Sequence, residues 1–150
     1  MTFKTADLLD DNEDKALQIV QPGFFSYGAN PRFSGEIVTI KIHEDNSLVR
    51  ELMAEDGTGK VLVVDGGGSM RCALLGDNLA QLGIDNNWSG IIVYGCIRDS
   101  VDIGNMAIGV KALDTNPAKS VKKDIGETQV DVTFGGVTFV PGQYVYADPD

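Results

Sequence analysis

Residues 76–102, GDNLAQLGIDNNWSGIIVYGCIRDSVD, form the stretch around which we expect the fold to be organised. Leu75, Leu79 and Leu82 recur at the spacing of one face of an amphipathic helix, and the apolar run 91–94 is typical of a buried strand. A strand that follows a helix returns to the edge of an open α/β sheet where ligands usually bind. The sequence therefore predicts that the start of this helix and the end of this strand lie close together.

Polar groups at both ends of this unit indicate a site for a small anion and a hard cation. Amide groups at a helix start lack internal partners, so those of Asn78 and Leu79 would attract a carboxylate. Arg98 would close the other side of the pocket with its planar, forked guanidinium group. Asp99 suits Mg²⁺ or Mn²⁺, cations that keep several waters and take few protein carboxylates. Asp77 would hydrogen-bond a metal-bound water and act as its base.

Each of these residues also has an ordinary structural interpretation when it is taken alone. Asp77 is a suitable helix cap, and Arg98 and Asp99 could form an ion pair on the surface. Asp102 follows Asp99 by three residues and would share its face if the turn is helical, but it equally suits a solvated position. Spacing by itself leaves both interpretations open.

The composition indicates one globular domain over residues 1–150 with an acidic surface. The formal net charge of −10 argues against non-specific nucleic-acid binding, which needs clustered lysine and arginine, and leaves a basic protein surface as a suitable partner. Cys72 and Cys96 lack CxxC spacing and are expected to be buried thiols in a reducing compartment. No apolar signal core or membrane-length run is present, so we expect a soluble, cytoplasmic protein that does not enter membranes.

Patterns elsewhere predict an α/β domain with a mixed sheet. The middle of the chain is a βαβαβ-like series in which strands alternate with helices, and its end consists of antiparallel strands. Gly135 and Gly136 predict a two-residue hairpin turn between two of those last strands. The predicted strands are a half-buried one at 33–42, a continuously apolar one at 61–64, and others at 91–94, 108–113, 130–134, 137–139 and 144–146.

Several single residues carry weaker indications. Thr5 and Asn46 are expected to cap the helices that follow them. His43 is the chain's one histidine and is expected to be solvated, and a zinc site would need further His or Cys ligands. Glycines 66–68 allow a sharp turn or a close approach of the backbone to a ligand, but they match neither GxGxxG nor a P-loop. Trp88 is expected in the core or at a subunit interface.

The site pattern as a whole resembles a known family. Asp77-x20-Arg98-Asp99-x2-Asp102, preceded by VVDGGGSMRCALLGD and followed by FGGVTF and YVYAD, is similar to the RraA-like proteins. These include the divalent-metal 4-hydroxy-4-methyl-2-oxoglutarate aldolases, which also decarboxylate oxaloacetate. The resemblance covers nearly the whole chain and implies a swivelling β/β/α domain, assembled as a trimeric ring with sites between neighbouring subunits.

The resemblance also implies roles for individual residues. Asp77 and Arg98 would be catalytic, with Arg98 holding the pyruvyl carboxylate and Asp77 holding a metal water. Asp99 would bind the divalent cation, Mg²⁺ or Mn²⁺. Besides Arg98, the substrate-binding residues would be those at the helix start, Gly76, Asn78 and Leu79. The implied reaction is cleavage of the substrate, a small 2-oxo acid, through a pyruvate enolate.

The same family contains a protein of a different class, the regulator of ribonuclease E activity. That regulator binds and inhibits an RNA-degrading enzyme and lacks the metal-binding Asp. The pair Arg98-Asp99 places this chain on the aldolase side, with a non-enzymatic partner of ribonuclease E as the alternative. A methyltransferase, the third candidate, would need a glycine-rich cofactor loop with an acidic partner about 20 residues further on, and none fits.

Two further expectations concern the chain end and the assembly. Family members usually continue beyond the position of Asp150 with a glycine and an apolar strand, so a C-terminal strand is expected to be missing. Longer aldolases also take an acidic residue from a C-terminal extension of the neighbouring subunit. The FFSYG loop at 24–28 and the GGVTF hairpin at 135–139 are expected to expose apolar side chains. We therefore expect a homotrimer or a dimer of trimers.

Overall fold

The computed structural model describes residues 2–150, which form the predicted mixed α/β fold. Eight strands make one sheet, in which β1-β6-β5-β3-β2-β10 are hydrogen-bonded in that order, while β4 pairs with β5 and β7 with β2. The strands are β1 Phe25–Ser26, β2 Phe33–Lys41, β3 Lys60–Asp65, β4 Ala73–Leu75, β5 Gly90–Ile97, β6 Gly109–Thr115, β7 Glu127–Thr128, β8 Val132–Phe134, β9 Val137–Phe139 and β10 Tyr144–Ala147. The helices are α1 Thr5–Asp10, α2 Ser47–Met53, α3 Asp77–Asp85 and α4 Ser100–Ile103.

The centre of the sheet is parallel and its edges are antiparallel. Strands β2, β3, β5 and β6 run in one direction, with Val63 opposite Ile92 and Ile92 opposite Lys111. Strands β1 and β10 pair antiparallel at the two edges. All four central strands therefore end on the same side of the molecule, where α/β proteins place their ligands.

Both faces of the sheet are covered, which makes the domain three layers thick. On one face, α2 and α3 pack against side chains such as Val38 and Ile40. On the other face, the β8–β9 hairpin packs against Ile37 and Val63. The strand predicted at 33–42 is present as β2, but it is not half-buried as predicted, because the hairpin covers the face that the alternation assigned to solvent. Thr39 on that strand is fully buried, and its hydroxyl donates a hydrogen bond to the Val130 carbonyl.

The hairpin has the predicted turn, but its side chains are buried rather than exposed. Gly135 and Gly136 have φ values of 60° and 75°, the left-handed conformations that a two-residue type I′ turn requires. Val137 and Phe139 are only 6% and 4% exposed, which contradicts the expected exposure of this segment. Phe25 in the FFSYG loop, by contrast, is 59% exposed, as expected.

Two other local predictions are corrected and a third is confirmed. Leu75 lies in β4 and not on the following helix, which begins at Asp77. Thr5 does not cap α1, because its backbone N–H and its hydroxyl both donate to the Asp148 carboxylate at 2.7 Å. This contact fastens α1 to the end of β10. Cys72 and Cys96 are buried free thiols, as predicted.

Trp88 belongs to the core. It is 4% exposed, and its indole N–H donates to the Glu55 carbonyl at 3.0 Å. Among residues 2–150 no helix combines the length and the apolar character that a membrane span needs.

Candidate functional site

The start of α3 and the end of β5 meet as the sequence predicts. Strand β4 pairs parallel with β5, so Leu75 and Ile97 are opposite each other and the chain segments that follow them emerge side by side. The Arg98 amide donates to the Leu75 carbonyl at 2.9 Å. This hydrogen bond continues the β4–β5 pairing and holds the start of α3 beside the end of β5.

Asp99 is held in a specific orientation. Its φ of 59° and ψ of 39° are left-handed, a conformation that aspartate tolerates better than most residues. Its side chain is directed back to α3, where Oδ2 accepts a hydrogen bond from the Asp77 amide at 3.0 Å. The other carboxylate oxygen has no hydrogen-bond donor among residues 2–150. The site therefore presents an oriented carboxylate with a free oxygen.

Gly76 lies at the point of closest approach. A Cβ on this residue would lie 2.9 Å from Asp99 Oδ2 and 3.4 Å from Arg98 Nε. The absence of a side chain therefore lets the Arg98 and Asp99 side chains lie directly over the start of α3.

Arg98 is exposed and faces the same cleft. Its Nη1 donates a long hydrogen bond of 3.5 Å to the Pro117 carbonyl. Within residues 2–150 it makes no salt bridge, so the alternative of a surface ion pair with Asp99 is wrong. The guanidinium group keeps most of its donors available for an anion.

A cleft of about 120 Å³ brings the sequence-predicted site residues together. Its lining includes all six of them: Gly76, Asp77, Asn78, Leu79, Arg98 and Asp99. Asp102 is not among the lining residues and is exposed on α4, so it belongs to the solvated surface.

The opposite side of the cleft comes from residues that sequence reasoning missed. They are carried by α2, by the residue that precedes it and by the strap, the name we give to residues 116–125 between β6 and β7. The strap crosses the strand ends, with Asn116 N–H donating to the Ile97 carbonyl at 2.9 Å and Ala73 N–H donating to the Ala118 carbonyl at 2.7 Å. The residues missed are Asn46, Arg50, Lys119, Ser120 and Lys122. A cluster of lysines at 119–123 in an acidic chain was the signal that could have found the strap.

Asn46 connects the start of α2 to the strap. Its predicted role as a side-chain cap is wrong. It occupies the N-cap position of α2 but makes no capping hydrogen bond. Its Oδ1 accepts instead from the Ser120 hydroxyl at 2.8 Å and from Lys122 Nζ at 3.0 Å. Its Nδ2 donates to the Leu74 carbonyl at 3.3 Å. The amide thus fixes the position of a lysine inside the cleft.

Asp45 takes the capping role and also holds the strap. One oxygen accepts from the Ser47 amide at 2.9 Å and hydroxyl at 2.6 Å, at the start of α2. The other accepts from the amides of Lys123 and Ile125 at 2.8 and 3.2 Å. Burial by itself raises the pKa of Asp45, but these hydrogen bonds outweigh burial and lower the pKa to about 2. One buried carboxylate therefore fastens the strap to α2.

The charge of the cleft is opposite to that of the chain. Four basic and two acidic side chains line it, a formal charge of +2, whereas the whole chain carries −10. The basic side chains are Arg50, Arg98, Lys119 and Lys122. A concave surface with this excess of positive charge attracts small anions.

The glycine-rich segment after β3 is a structural turn. The amides of Gly66 and Gly68 both donate to the Tyr94 carbonyl at 3.1 Å, and the Gly67 amide donates to Asp65 Oδ1 at 2.9 Å. These amides are thus engaged within the chain and do not face a ligand. His43 nearby is solvated, as predicted, with 68% of its side chain exposed.

Known proteins are similar to this chain over most of its length. The family described as RraA-like, aldolase/RraA, matches residues 5–150. A protein of Dechloromonas aromatica (strain RCB) with the name "Putative 4-hydroxy-4-methyl-2-oxoglutarate aldolase" is 61% identical over 100% of this chain and 94% of its own. A protein of the same name from Aromatoleum aromaticum is 60% identical with the same coverage.

Solved structures with the same fold carry other names. A structure from Geobacillus kaustophilus, described as an S-adenosylmethionine:2-dimethylmenaquinone methyltransferase, has a TM-score of 0.94 and 52% identity over 97% of this chain and 90% of its own. The RNA-processing inhibitor RraA from Thermus thermophilis has a TM-score of 0.93 and 42% identity over 100% of this chain and 90% of its own. The match to the family over nearly the whole chain and the identity to these relatives lead to one conclusion: the chain belongs to the RraA-like, aldolase/RraA family.

Proposed function

We propose that the chain is a divalent-metal-dependent lyase that cleaves 4-hydroxy-4-methyl-2-oxoglutarate into two molecules of pyruvate and also decarboxylates oxaloacetate. The observation that carries the proposal is that the start of α3, Arg98 and Asp99 face one small cationic cleft. The names of the relatives support an aldolase.

The residues present fit a hard cation such as Mg²⁺ or Mn²⁺. Asp99 offers one oriented carboxylate, and Asp77 lies beside it, while residues 2–150 contain no group of three or more His, Cys, Asp or Glu side chains. Zinc needs such a group, whereas Mg²⁺ accepts one or two protein carboxylates and takes its other ligands from water and substrate. Asp99 would hold the cation, which when bound supplies electrophilic stabilisation of the 2-oxo group.

The start of α3 and Arg98 would bind the pyruvyl carboxylate. The amides of Asn78 and Leu79 lie in the first turn of a nine-residue helix, where the helix itself offers them no acceptor. A carboxylate there would also interact favourably with the helix dipole. Arg98 approaches from the β5 side and can form two parallel hydrogen bonds with the same group.

The retro-aldol reaction needs a base, and Asp77 is the carboxylate placed to serve. It would remove the proton of the 4-hydroxyl group, directly or through one water, while the bond between C3 and C4 breaks. The electron pair of that bond enters the pyruvate enolate, whose negative charge Arg98 helps to stabilise. Decarboxylation of oxaloacetate reaches the same enolate without removal of a hydroxyl proton, so it does not require Asp77 as a base.

Pyruvate release tests the proposal directly. Purified protein is supplied with each of the two substrates in Mg²⁺, in Mn²⁺ and in excess EDTA. Metal-stimulated pyruvate release that EDTA abolishes is the expected result. Absence of pyruvate from both substrates in either metal would reject the lyase.

The alternative is a regulatory protein that binds and inhibits ribonuclease E. It is favoured by the similarity to the Thermus RNA-processing inhibitor at 42% identity, and the acidic surface suits a basic partner segment. A protein that is inactive with both substrates and metals but lowers ribonuclease E activity would support this alternative over the lyase.

The glycine-rich loop argues against a methyltransferase. The amides of Gly66, Gly67 and Gly68, in the glycine-rich loop, are engaged within the chain. They are therefore not available to bind the cofactor of a methyltransferase.

We further propose a homotrimer or a dimer of trimers located in the cytoplasm. Phe25 and Tyr144, on opposite edge strands of the sheet, are 59% and 63% exposed, which suits burial by a neighbouring subunit. The free thiols of Cys72 and Cys96 suit a reducing compartment. Light scattering should show three or six copies of the 16.0 kDa chain, and an active monomer would reject the shared site.

A further inference from the structure

Asn116 is the first residue of the strap, and its polar groups join three segments of the chain. Its amide N–H donates to the Ile97 carbonyl at 2.9 Å, and its side-chain Nδ2 donates to the Met70 carbonyl at 2.7 Å. Its Oδ1 accepts from the Ala118 amide at 2.9 Å. The end of β5, the loop between β3 and β4 and the strap therefore meet at one half-buried asparagine.

The contact with the Ala118 amide closes a turn around Pro117. An asparagine oxygen that accepts from the amide two residues further on imitates a backbone turn and fixes the peptide groups between them. The ring of Pro117 restricts its own φ and also the backbone of Asn116 before it. Beyond the turn, the Ala118 carbonyl accepts from the Ala73 amide at 2.7 Å. The Pro117 carbonyl is therefore held in one direction.

Arg98 lies between two groups that Asn116 holds. Ile97, whose carbonyl accepts from the Asn116 amide, directly precedes Arg98 in the chain. The Pro117 carbonyl, which the turn orients, accepts from Arg98 Nη1 at 3.5 Å. Within residues 2–150 this is the one hydrogen bond of the guanidinium group, which makes no salt bridge there. The contact is long and leaves the other donors free, so it directs the group without occupying it.

We infer that Asn116 is a positioning residue for Arg98: it holds the Pro117 carbonyl so that the guanidinium group faces the cleft in the orientation that binds a carboxylate. The inference rests on the proposed function only in assigning Arg98 to the carboxylate of the 2-oxo acid. Asn116 does not line the cleft, so it acts through Arg98. An arginine that is already oriented loses less side-chain freedom on binding, which raises the affinity.

A double-mutant cycle between Asn116 and Arg98 tests the inference through binding, without turnover. The ligand is 2-oxobutanoate, which has the 2-oxo acid end of both substrates but no 4-hydroxyl group and no carboxylate to lose. Its dissociation constant in Mg²⁺ is measured by titration calorimetry for the wild type, Asn116→Ala, Arg98→Lys and the variant with both changes. Lysine ends one bond short of Nη1 and so loses the Pro117 contact, but it keeps a charge for the ligand.

Asn105→Ala is the matched control. Asn105 is exposed and lies outside the cleft lining, and its side chain donates a single hydrogen bond to the Val101 carbonyl at 3.0 Å. It therefore loses an asparagine side chain and a hydrogen bond without any effect on Arg98. Its affinity for 2-oxobutanoate should equal that of the wild type.

Asn116→Ala should weaken binding by about 5-fold, the equivalent of one hydrogen bond, in the chain that has Arg98. In the Arg98→Lys background the same change should alter binding by less than about 2-fold, because the group that Asn116 positions is then absent. Asn116→Ser should weaken binding by only about 3-fold, since a serine hydroxyl forms the same turn more weakly. Thermal denaturation shows whether each variant is folded, and Asn116→Ser takes the place of Asn116→Ala in the cycle if the latter is not.

Three results would overturn the inference: no binding of 2-oxobutanoate by the wild type, unchanged binding when Asn116 is replaced, or an equal loss in both backgrounds, which would indicate a general structural role. A protein that shows the expected cycle but releases no pyruvate from either substrate would reject the lyase and leave the positioning role in place. Pyruvate release without coupling between Asn116 and Arg98 would reject the positioning role alone. The two failures are thus distinguishable.

Discussion

The two walls of the cleft are built in different ways. The α3 wall, formed by residues 76–79 with Arg98 and Asp99, lies directly beyond two paired strands, β4 and β5. The strap wall, formed by residues 116–125 with Asn46 and Arg50, is fastened by hydrogen bonds to strand ends and to Asp45. The pairing of β4 with β5 thus positions the groups proposed to act on the substrate. The buried carboxylate of Asp45 positions the strap, which forms the opposite wall.

This difference predicts that substitutions in the α3 wall impair the reaction directly. Substitutions in the strap wall should instead impair it by displacing the residues of the cleft. The first kind should lower turnover in a folded protein. The second kind should lower stability and activity together. Five experiments test this contrast, beginning with the largest expected effect.

Asp99→Asn should lower both lyase activities by roughly 1,000-fold, because the amide keeps the shape of the side chain but lacks the charge that holds a hard cation. Turnover of both substrates is measured in saturating Mg²⁺. The melting temperature should be unchanged, since Asp99 is exposed. Near-normal metal-stimulated turnover in this variant would remove Asp99 from the site.

Asp77→Asn should separate the two activities. Retro-aldol cleavage should fall by roughly 100- to 1,000-fold because its base is lost, whereas oxaloacetate decarboxylation should stay within about 10-fold of the wild type. The ratio of the two rates is the measurement, and it cancels errors in protein concentration. Equal losses in both reactions would show that Asp77 is not the base for the hydroxyl proton.

Arg98→Lys should weaken binding of the pyruvyl carboxylate. Lysine keeps the positive charge but loses the planar fork, so kcat/KM should fall by about 10- to 150-fold, the equivalent of one charged hydrogen bond. Steady-state kinetics with oxaloacetate provide the measurement. An unchanged KM and kcat would place Arg98 outside the substrate site.

Asp45→Asn should loosen the strap. An amide cannot accept from all four donors, so the free energy of unfolding should fall by about 1–3 kcal/mol, and kcat/KM should fall several-fold. Asp56→Asn is the matched control, because Asp56 accepts from Thr58 in the same local pattern but holds no strap. Equal effects of the two substitutions would show that the strap contacts contribute nothing.

The pH dependence of stability offers a finer test of the same contact. The pKa of Asp45 is about 2 in the folded chain and 3.8 ordinarily, so its carboxylate stabilises the fold above pH 3.8. This contribution, on the order of 2 kcal/mol, is lost as the pH falls from 3.8 towards 2. The difference in unfolding free energy between wild type and Asp45→Asn should therefore shrink between pH 6 and pH 3, by urea denaturation. A constant difference would contradict the assigned hydrogen bonds.

The sequence predicted the residues of the α3 wall but not the strand β4 that leads into it. Hydrophobic periodicity located β5 and most of α3, because each pattern extends over a contiguous stretch of chain, but it assigned Leu75 to the helix and did not predict β4. Asp77 and Arg98 are separated by one helix and one strand, and the geometry of a βαβ unit returns the second strand to a place beside the first. Local pattern and chain geometry indicated that Asn78, Leu79, Arg98 and Asp99 lie close together, and the family resemblance favoured a shared site over the ordinary structural interpretation.

Tertiary structure decided the strap wall and the burial of the hairpin. Asn46 and Ser120 are 74 residues apart in sequence, and neither belongs to a periodic pattern that would predict their contact. Val137 and Phe139 have the same alternation whether they face solvent or a sheet, and only the packing of the hairpin on β2 and β3 determines that they are buried. Periodicity reports which side chains share a face of one element. It cannot report what covers that face, because this depends on contacts between segments that are distant in the chain.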